Sequence, residues 1–292
     1  MPQTSPTRRS AANERSQEDT IISVERAFEI VAMLADLDEG ASLADIARHL
    51  DVNKAIASKL LTTLEGLGIA WRDAVAHRYN LTYRISNLGL RQLQKTRLLD
   101  QSAAVLKALA DETGELVRLA VVENGERITW VYAASGAKRS LQIDPNYSLD
   151  AYLHTTAIGK AWLATLPFER ALKYMLRQGI KPLTRHTKVT TKAIRAELEA
   201  TKKRGFATSF EETELGVIAI SAPIVVTALT GERECVGAVS LAAPTNRMNE
   251  RELVACSPQL LATVERLAQI WPLEPRTLRV LLNPRRSSSP DS

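Results

Sequence analysis

No apolar run in this 292-residue chain approaches the ~18–20 residues that cross a bilayer, which excludes a membrane span. Cysteine is scarce: only Cys235 and Cys256 occur, 21 positions apart and without a CxxC or CxxH neighbour. That excludes a disulfide framework and argues against structural metal. The chain has no Gly-x-Ser-x-Gly elbow, P-loop, dinucleotide fingerprint or paired-histidine metal motif, so neither an enzyme nor a bound cofactor is expected. The four histidines, His49, His77, His154 and His186, could meet a serine only by chance, and His154 reads as a loop or cap residue. Residues 1–19 are polar and contain no apolar stretch of the secretory kind, so the expected location is the cytoplasm. Charge of one sign is also modest, at +5 overall, and any case for nucleic-acid binding must rest on where the charge sits.

What is present is an ordinary globular composition, 45% hydrophobic and 24% charged, at a length that predicts two domains. Between Thr20 and Val52 two basic residues face seven acidic ones, whereas from Asn53 to Arg97 eight basic residues face two acidic ones. Helical periodicity explains this polarised region. Val24, Ala27, Phe28, Val31, Leu34 and Ala35 predict a first amphipathic helix ending near Asp38-Glu39-Gly40. Ser42 can cap a second helix with Asp45 as its capping-box partner, its apolar face being Leu43, Ile46, Ala47 and Leu50. Asn53 caps a third helix with an expected buried side of Ile56, Leu60, Leu64 and Leu67. Two short helices joined by a tight turn form a helix-turn-helix. The other face of the third helix carries Ala55, Ser58, Lys59 and Thr62, with Lys54 at its start. Small residues there permit close approach to a major groove, while Ser, Thr and Lys reach bases or phosphates. Trp71 to Leu81 reads as a two-stranded wing with Arg72, His77 and Arg78 near its tip. The expected DNA contacts are therefore Ser42, Asn53, Lys54, Ala55, Ser58, Lys59, Thr62, Arg72, His77 and Arg78.

These residues resemble the IclR-type bacterial transcription regulators. Ser23-Val24-Glu25-Arg26-Ala27-Phe28-Glu29-Ile30, Leu43-Ala44-Asp45-Ile46-Ala47 and Lys59-Leu60-Leu61-Thr62-Thr63-Leu64-Glu65-Gly66-Leu67-Gly68 match in the first half. In the second, His154-Thr155-Thr156-Ala157-Ile158-Gly159-Lys160-Ala161, Arg204-Gly205-Phe206-Ala207, Ser221-Ala222-Pro223-Ile224 and Val236-Gly237-Ala238-Val239-Ser240 follow in family order, so that residues 20 to 271 are covered. The resemblance implies a mixed α/β (α+β) chain with an N-terminal winged helix-turn-helix over 20–84, a linker helix over 85–110 and a GAF-like effector-binding domain over 111–271. Disordered tails at 1–19 and 272–292 flank these. It also implies homodimers or dimers of dimers, an inverted-repeat double-stranded operator, and a small organic acid as effector. A sensor or interaction protein whose helix-turn-helix does not bind DNA stays open as a second reading.

The residues of the second half agree with an α/β sensing domain. Asn124-Gly125 between Leu116–Val122 and Arg127–Ala133 is a hairpin signal. Further strands are expected at Phe206–Phe210, Val217–Val226 and Cys235–Ala242. Helices are expected at Ala157–Leu166, Glu169–Arg177 and Lys192–Arg204, with a last one reaching Trp271 and interrupted at Pro258. Thr155, Thr156, Ala157 and Ile158 open a helix whose free N–H groups would suit a carboxylate. The family resemblance adds four positions to the effector site. Ser240 keeps an expected hydroxyl; Ser209 stands where sensors of small oxoacids have Asp, Ala219 where they have Cys, and Ala242 where a second Ser can be. With Val217, this makes a less polar pocket, suited to a larger acid with an apolar, for example aromatic, body. Val217, Ala219 and Ala242 could equally be sheet core, and Trp130 and Tyr147 are alternative pocket neighbours. Twelve basic residues against three acidic ones between Lys160 and Arg204 read as solvated helix faces or as a surface for anions.

Overall fold

A computed structural model describes residues 20–136, 143, 152–227 and 231–272. Most of the expected tails, residues 1–19 and 273–292, and Tyr147 lie outside these. The chain divides into two compact units between Gln92 and Leu93.

The first unit contains α1 (Ile22–Ala35), β1 (Ala41–Ser42), α2 (Leu43–His49), α3 (Lys54–Gly66), β2 (Ala70–Arg72) and β3 (Arg78–Leu81). Its core joins Ile30 and Leu34 of α1 to Ile46, Ala47 and Leu50 around α2, to Ala57, Leu61 and Leu64 of α3, and to Tyr79 of β3. Two expected faces are corrected. In α1, Val24 and Phe28 are 51% and 68% exposed, because the helix is apolar on two stripes and the core takes the one centred on Ile30 and Leu34. In α3 the buried line runs through Ala57, Leu61 and Leu64, leaving Ile56 and Leu67 exposed. The turn between α2 and α3 is tight, with the Val52 N–H donating to Ala47 O at 3.0 Å, and an alanine at 57 lets the helices approach. The wing is three-stranded, in the order β1-β3-β2, because Ala41 and Ser42 pair with Tyr79 and Arg78. Two residues are too few to show alternation in a sequence. Gly40 ends the turn into β1 at φ +66°, and a Cβ there would sit 2.2 Å from Tyr79 O.

The expected single linker helix is two helices. α4 (Tyr83–Thr96) buries none of its residues and stops at Arg97, which adopts a left-handed φ of 52°. α5 (Leu98–Thr113) then buries Leu98, Val105, Leu106 and Leu109 in the core of the second unit, so it is a wall of that unit and not a free connector.

That unit is built on a five-stranded antiparallel sheet ordered β5-β4-β8-β7-β6. The strands are β4 (Leu116–Glu123), β5 (Arg127–Ser135), β6 (Ala207–Phe210), β7 (Val217–Thr227) and β8 (Arg233–Pro244). Asn124 and Gly125 both take positive φ, as a tight β4–β5 turn requires. Alternation along the strands gives the sheet two faces. Val117, Leu119, Ile218, Ile220, Val239 and Leu241 face α5 and α10 (Ser257–Ile270), meeting Leu106, Leu260, Val264 and Leu267. Ala120, Ala207 and Ala238 belong to the opposite core with α6 (Ala157–Leu163), α7 (Phe168–Gln178) and α8 (Thr191–Arg204), where Trp162 stacks on Tyr174 at 5.3 Å. The helical pattern before Trp271 restarts near Pro258 as expected: α9 (Glu250–Ala255) ends at Cys256, and Pro258 occupies the first turn of α10.

At the strand ends, the inner strands β4 and β8 are clamped by a buried carboxylate. Glu115 accepts from Arg247 Nε at 2.6 Å and from a second guanidinium nitrogen at 2.5 Å, tying the start of β4 to the chain beyond β8. Arg247→Met should therefore destabilise the second unit by about 3–5 kcal/mol in urea denaturation, because it strips a buried carboxylate of its bidentate partner. The double variant Glu115→Met/Arg247→Met should recover most of that loss.

Candidate nucleic-acid interface and effector face

The helix-turn-helix is set by its two caps. Ser42 Oγ accepts from the Asp45 N–H at 3.2 Å and donates to Asp45 Oδ2 at 2.7 Å; this hydrogen bond holds the Asp45 carboxyl below its usual range. Asn53 Oδ1 accepts from the Ile56 N–H at 2.9 Å. Both side chains thus have structural partners as well as a place beside the expected interface. From Asn53 onward, Lys54, Ala55, Lys59 and Thr62 are exposed and Ser58 is half-buried, on the side of α3 away from Ala57, Leu61 and Leu64. Thr62 and Thr63 turn their hydroxyls back to the Ser58 and Lys59 carbonyls.

In the wing, Asp73 Oδ1 accepts from the N–H groups of Val75 and Ala76, both at 2.7 Å, and His77 closes the turn at φ 54°. Arg72 lies over the Tyr79 ring at 5.6 Å and, like His77, remains exposed. Arg78 is different. Its Nε donates to Glu39 O at 2.9 Å and a terminal nitrogen to Gly40 O at 2.8 Å. Its guanidinium anchors the turn before β1 and does not project from the wing tip, which corrects its expected place there.

In the second unit the structure brings the expected effector residues onto one sheet face. Ser209 pairs with Ala219, and Ala219 with Ala242, in one transverse row. The next row joins Ala207, Ser221, Ser240 and Arg118. Val217 lies at the end of β7, opposite Pro244. The start of α6 meets this face: Ser209 Oγ donates to Thr155 O at 2.7 Å, and Thr213 Oγ1 donates to Thr155 Oγ1 at 3.2 Å. Many of its polar groups are already engaged. The N–H groups of Thr155 and Thr156 donate to Tyr152 O, and that of Gly159 donates to the capping Thr156 Oγ1 at 3.2 Å. Ala157 and Ile158 are buried. Gly159 allows this packing, since a Cβ there would sit 2.5 Å from Leu153 O. Sequence reasoning passed over Arg118, although an arginine inside Leu116-Val117-Arg118-Leu119-Ala120 is visible as one charge in an apolar strand.

The family model described as the IclR helix-turn-helix domain matches residues 23–74, and that of the bacterial transcriptional regulator IclR C-terminal domain matches residues 90–269. The chain belongs to the IclR family. Its members are transcriptional regulators that join a DNA-binding helix-turn-helix to a ligand-binding effector domain. The glycerol operon regulatory protein of Streptomyces coelicolor is 31% identical over 252 residues, 85% of this chain and 94% of that protein. An IclR transcriptional regulator from Alicyclobacillus acidocaldarius has a similar structure, with a TM-score of 0.73 at 21% identity over 86% of this chain and 98% of that one. An IclR homologue from Microbacterium hydrocarbonoxydans, solved with 4-hydroxybenzoate, gives 0.66 at 17% identity over 85% and 99%.

In this IclR-family chain a buried charge network holds the effector face together. Lys160 on α6 is 2% exposed and donates to Glu212 Oε1 at 2.5 Å and Thr208 O at 3.0 Å. Lys188 donates to the same Glu212 oxygen at 2.8 Å and approaches Glu197 at 3.2 Å, while Arg204 bonds Glu197 at 2.7 Å. Burial pushes the Lys160 ammonium down to about 8 against the pull of Glu212. Lys188, only half-buried, is raised, because its two carboxylates outweigh its loss of water. Burial pushes Glu197 up, but Lys160, Lys188 and Arg204 more than offset it and hold that carboxyl below its usual range.

The guanidinium of Arg78 is held by backbone carbonyls, whereas Lys54 is exposed at the start of α3. Arg78→Ala should lower the melting temperature of the first unit while leaving the salt slope of DNA binding unchanged, whereas Lys54→Ala should do the reverse, lowering that slope by about 1.

Proposed function

We propose that this IclR-family chain acts as a homodimer or a dimer of dimers on an inverted-repeat operator, and that a small organic acid with an apolar body sets its affinity for DNA. The observation that carries the DNA half of this reading is the exposed face of α3. Lys54, Ala55, Lys59 and Thr62 present small, hydroxylic and basic groups on a helix whose opposite side is fixed in the core. Lys59 and Ser58 sit centrally in this face and are the base-reading candidates, with Arg72 and His77 on phosphates at the wing.

One helix-turn-helix reads one half-site, so specificity calls for a two-fold assembly. The first unit leaves Ile21, Ile22, Val24 and Phe28 exposed along α1, and α4 leaves Leu88 and Leu90 exposed; these are the proposed contacts between copies. No helix of the described residues is long and apolar enough to cross a membrane, which suits a protein that works on DNA in the cytoplasm.

On the effector face, Ala219 and Ala242 occupy the middle of the sheet with only small side chains, and Ser240 supplies a hydroxyl. An oxoacid as small as glyoxylate would leave its oxygens short of partners at ~1–3 kcal/mol each. A longer acid, of the aromatic class with which the Microbacterium neighbour was solved, would gain apolar contact with these alanines.

Fluorescence anisotropy with the chain's own upstream DNA tests the reading. Lys59→Ala should weaken operator binding by about 1–3 kcal/mol with fold retained. Sedimentation should show a dimer or tetramer at micromolar concentration, and an aromatic acid should shift the anisotropy midpoint. A monomer that binds all DNA sequences alike would count against it.

A further inference from the structure

The excess of basic residues between Lys160 and Arg204 is resolved by where their side chains go. Lys160, Lys188 and Arg204 turn inward to Glu197 and Glu212, and Arg195 approaches Glu169 at 3.7 Å. The other eight of the twelve are exposed and form no ion pair among the described residues, and Glu199 is the one acid of the stretch left to oppose them.

Helix geometry gathers these charges on one side of the second unit. On α7, Arg170, Lys173 and Arg177 recur at i, i+3 and i+7 and share a face, while Ala171 and Met175 turn into the core. On α8, Lys192, Arg195, Lys202 and Lys203 lie away from the buried Ile194, Leu198 and Thr201. Met175 of α7 lines one crevice with Ile194 and Leu198 of α8, and the Arg195 guanidinium carbon lies 3.6 Å from the centre of the Phe168 ring, so the two outer faces adjoin. Together α7 and α8 expose seven basic side chains and two acidic ones, whereas α5, α9 and α10, across the sheet, expose three basic and six acidic. Charges that only keep a surface soluble are mixed in sign. A one-sided field of this kind draws a polyanion.

The chemistry of the face selects among polyanions. Leu176 is the one large apolar side chain exposed on the two helices, so the face lacks the apolar centre around which protein interfaces are built. Phosphates need no such centre, because each one neutralised releases condensed counterions. Lys173, Lys192, Lys202 and Lys203 make no side-chain hydrogen bond among the described residues, and such unheld point charges suit a row of phosphates. We propose that the outer face of α7 and α8 is a second DNA-contacting surface, which holds the phosphates of duplex flanking the operator without reading their sequence. This rests on the reading above that the chain binds an operator through α3, and it gives the effector domain a direct share in DNA affinity.

Fluorescence anisotropy on the full-length chain, with about 24 and about 60 base pairs of its upstream DNA centred on the protected site, tests this, with poly-glutamate as a third probe. Wild type should favour the longer duplex by about 10–100-fold at low salt, an advantage that higher salt removes. The fourfold variant Lys173→Gln/Lys192→Gln/Lys202→Gln/Lys203→Gln should keep its melting temperature and bind the short duplex within about twofold of wild type, yet lose most of the length advantage and about 2–4 from the salt slope on the long duplex. The matching Lys→Arg variant should retain both. Should the fourfold variant fail to fold, Lys173→Gln/Lys192→Gln alone should lose about half of that slope. A folded Gln variant that keeps the length advantage, or that loses affinity equally on both duplexes, would overturn the proposal. So would wild type that binds both duplexes alike, and poly-glutamate binding lost in the variant would then assign the face to an acidic protein. In each of these cases the operator reading stands. Wild type that prefers neither duplex over unrelated DNA would overturn both.

Discussion

The effector domain depends on one buried ion pair. Lys160 and Glu212 meet at 2.5 Å with 2% and 3% of their side chains exposed, and they join α6, which packs on β6, β7 and β8, to the turn that follows the edge strand β6. Removing two charges from water is costly, and an ion pair repays the cost only when hydrogen bonds satisfy the remaining groups. Here Thr208 O takes a second ammonium proton and Lys188 shares Glu212 Oε1, whereas the buried Oε2 has no hydrogen-bond partner among the described residues. The same turn is held by threonines: Thr184 and Thr187 donate to the Glu211 and Glu212 carbonyls, and Thr213 to Thr155. Such a junction is rigid while complete and has few ways to relax when one member is lost.

This explains why the two faces of the sheet can do different work. The α5/α10 face is a continuous hydrocarbon core of Val, Leu and Ile, whose burial drives folding. The α6 face carries Ser209, Ser221, Ser240 and Arg118 among alanines, and these polar residues are tolerated because the charge network and the stacked Trp162–Tyr174 pair fix the helices around them. The first unit divides labour in a similar way. One side of α3 is committed to packing on α2, which leaves its other side free of any structural duty except hydroxyl bonds back to its own backbone.

Much of this was readable because its signals are local. Ser42 and Asn53 announce helix starts, Asn124-Gly125 a hairpin, and strand alternation the sheet of the effector domain. The register puts Ser209, Ala219 and Ala242 in one row and Ser240 in the next. What could not be read depends on neighbours. Two apolar stripes on α1 look equally fit for burial until α2 and β3 are in place, and the same ambiguity turned the expected face of α3 by one position. The break at Arg97 has no mark in a sequence that is helical on both sides. Arg78 reads as a DNA contact near the wing tip because the Glu39 and Gly40 carbonyls that hold it lie 39 and 38 positions earlier. Arg118 was legible in principle, since one charge in an apolar strand demands an explanation, but its direction is known only once Val117 and Leu119 are placed.

The dependence on the Lys160–Glu212 pair is tested most directly by native-state hydrogen exchange on Lys160→Met. The account predicts lost protection confined to α6 and residues 207–216, with β4, β8 and α10 protected as in wild type. Unchanged exchange at α6 and 207–216, or a uniform loss over the whole sheet, would contradict it.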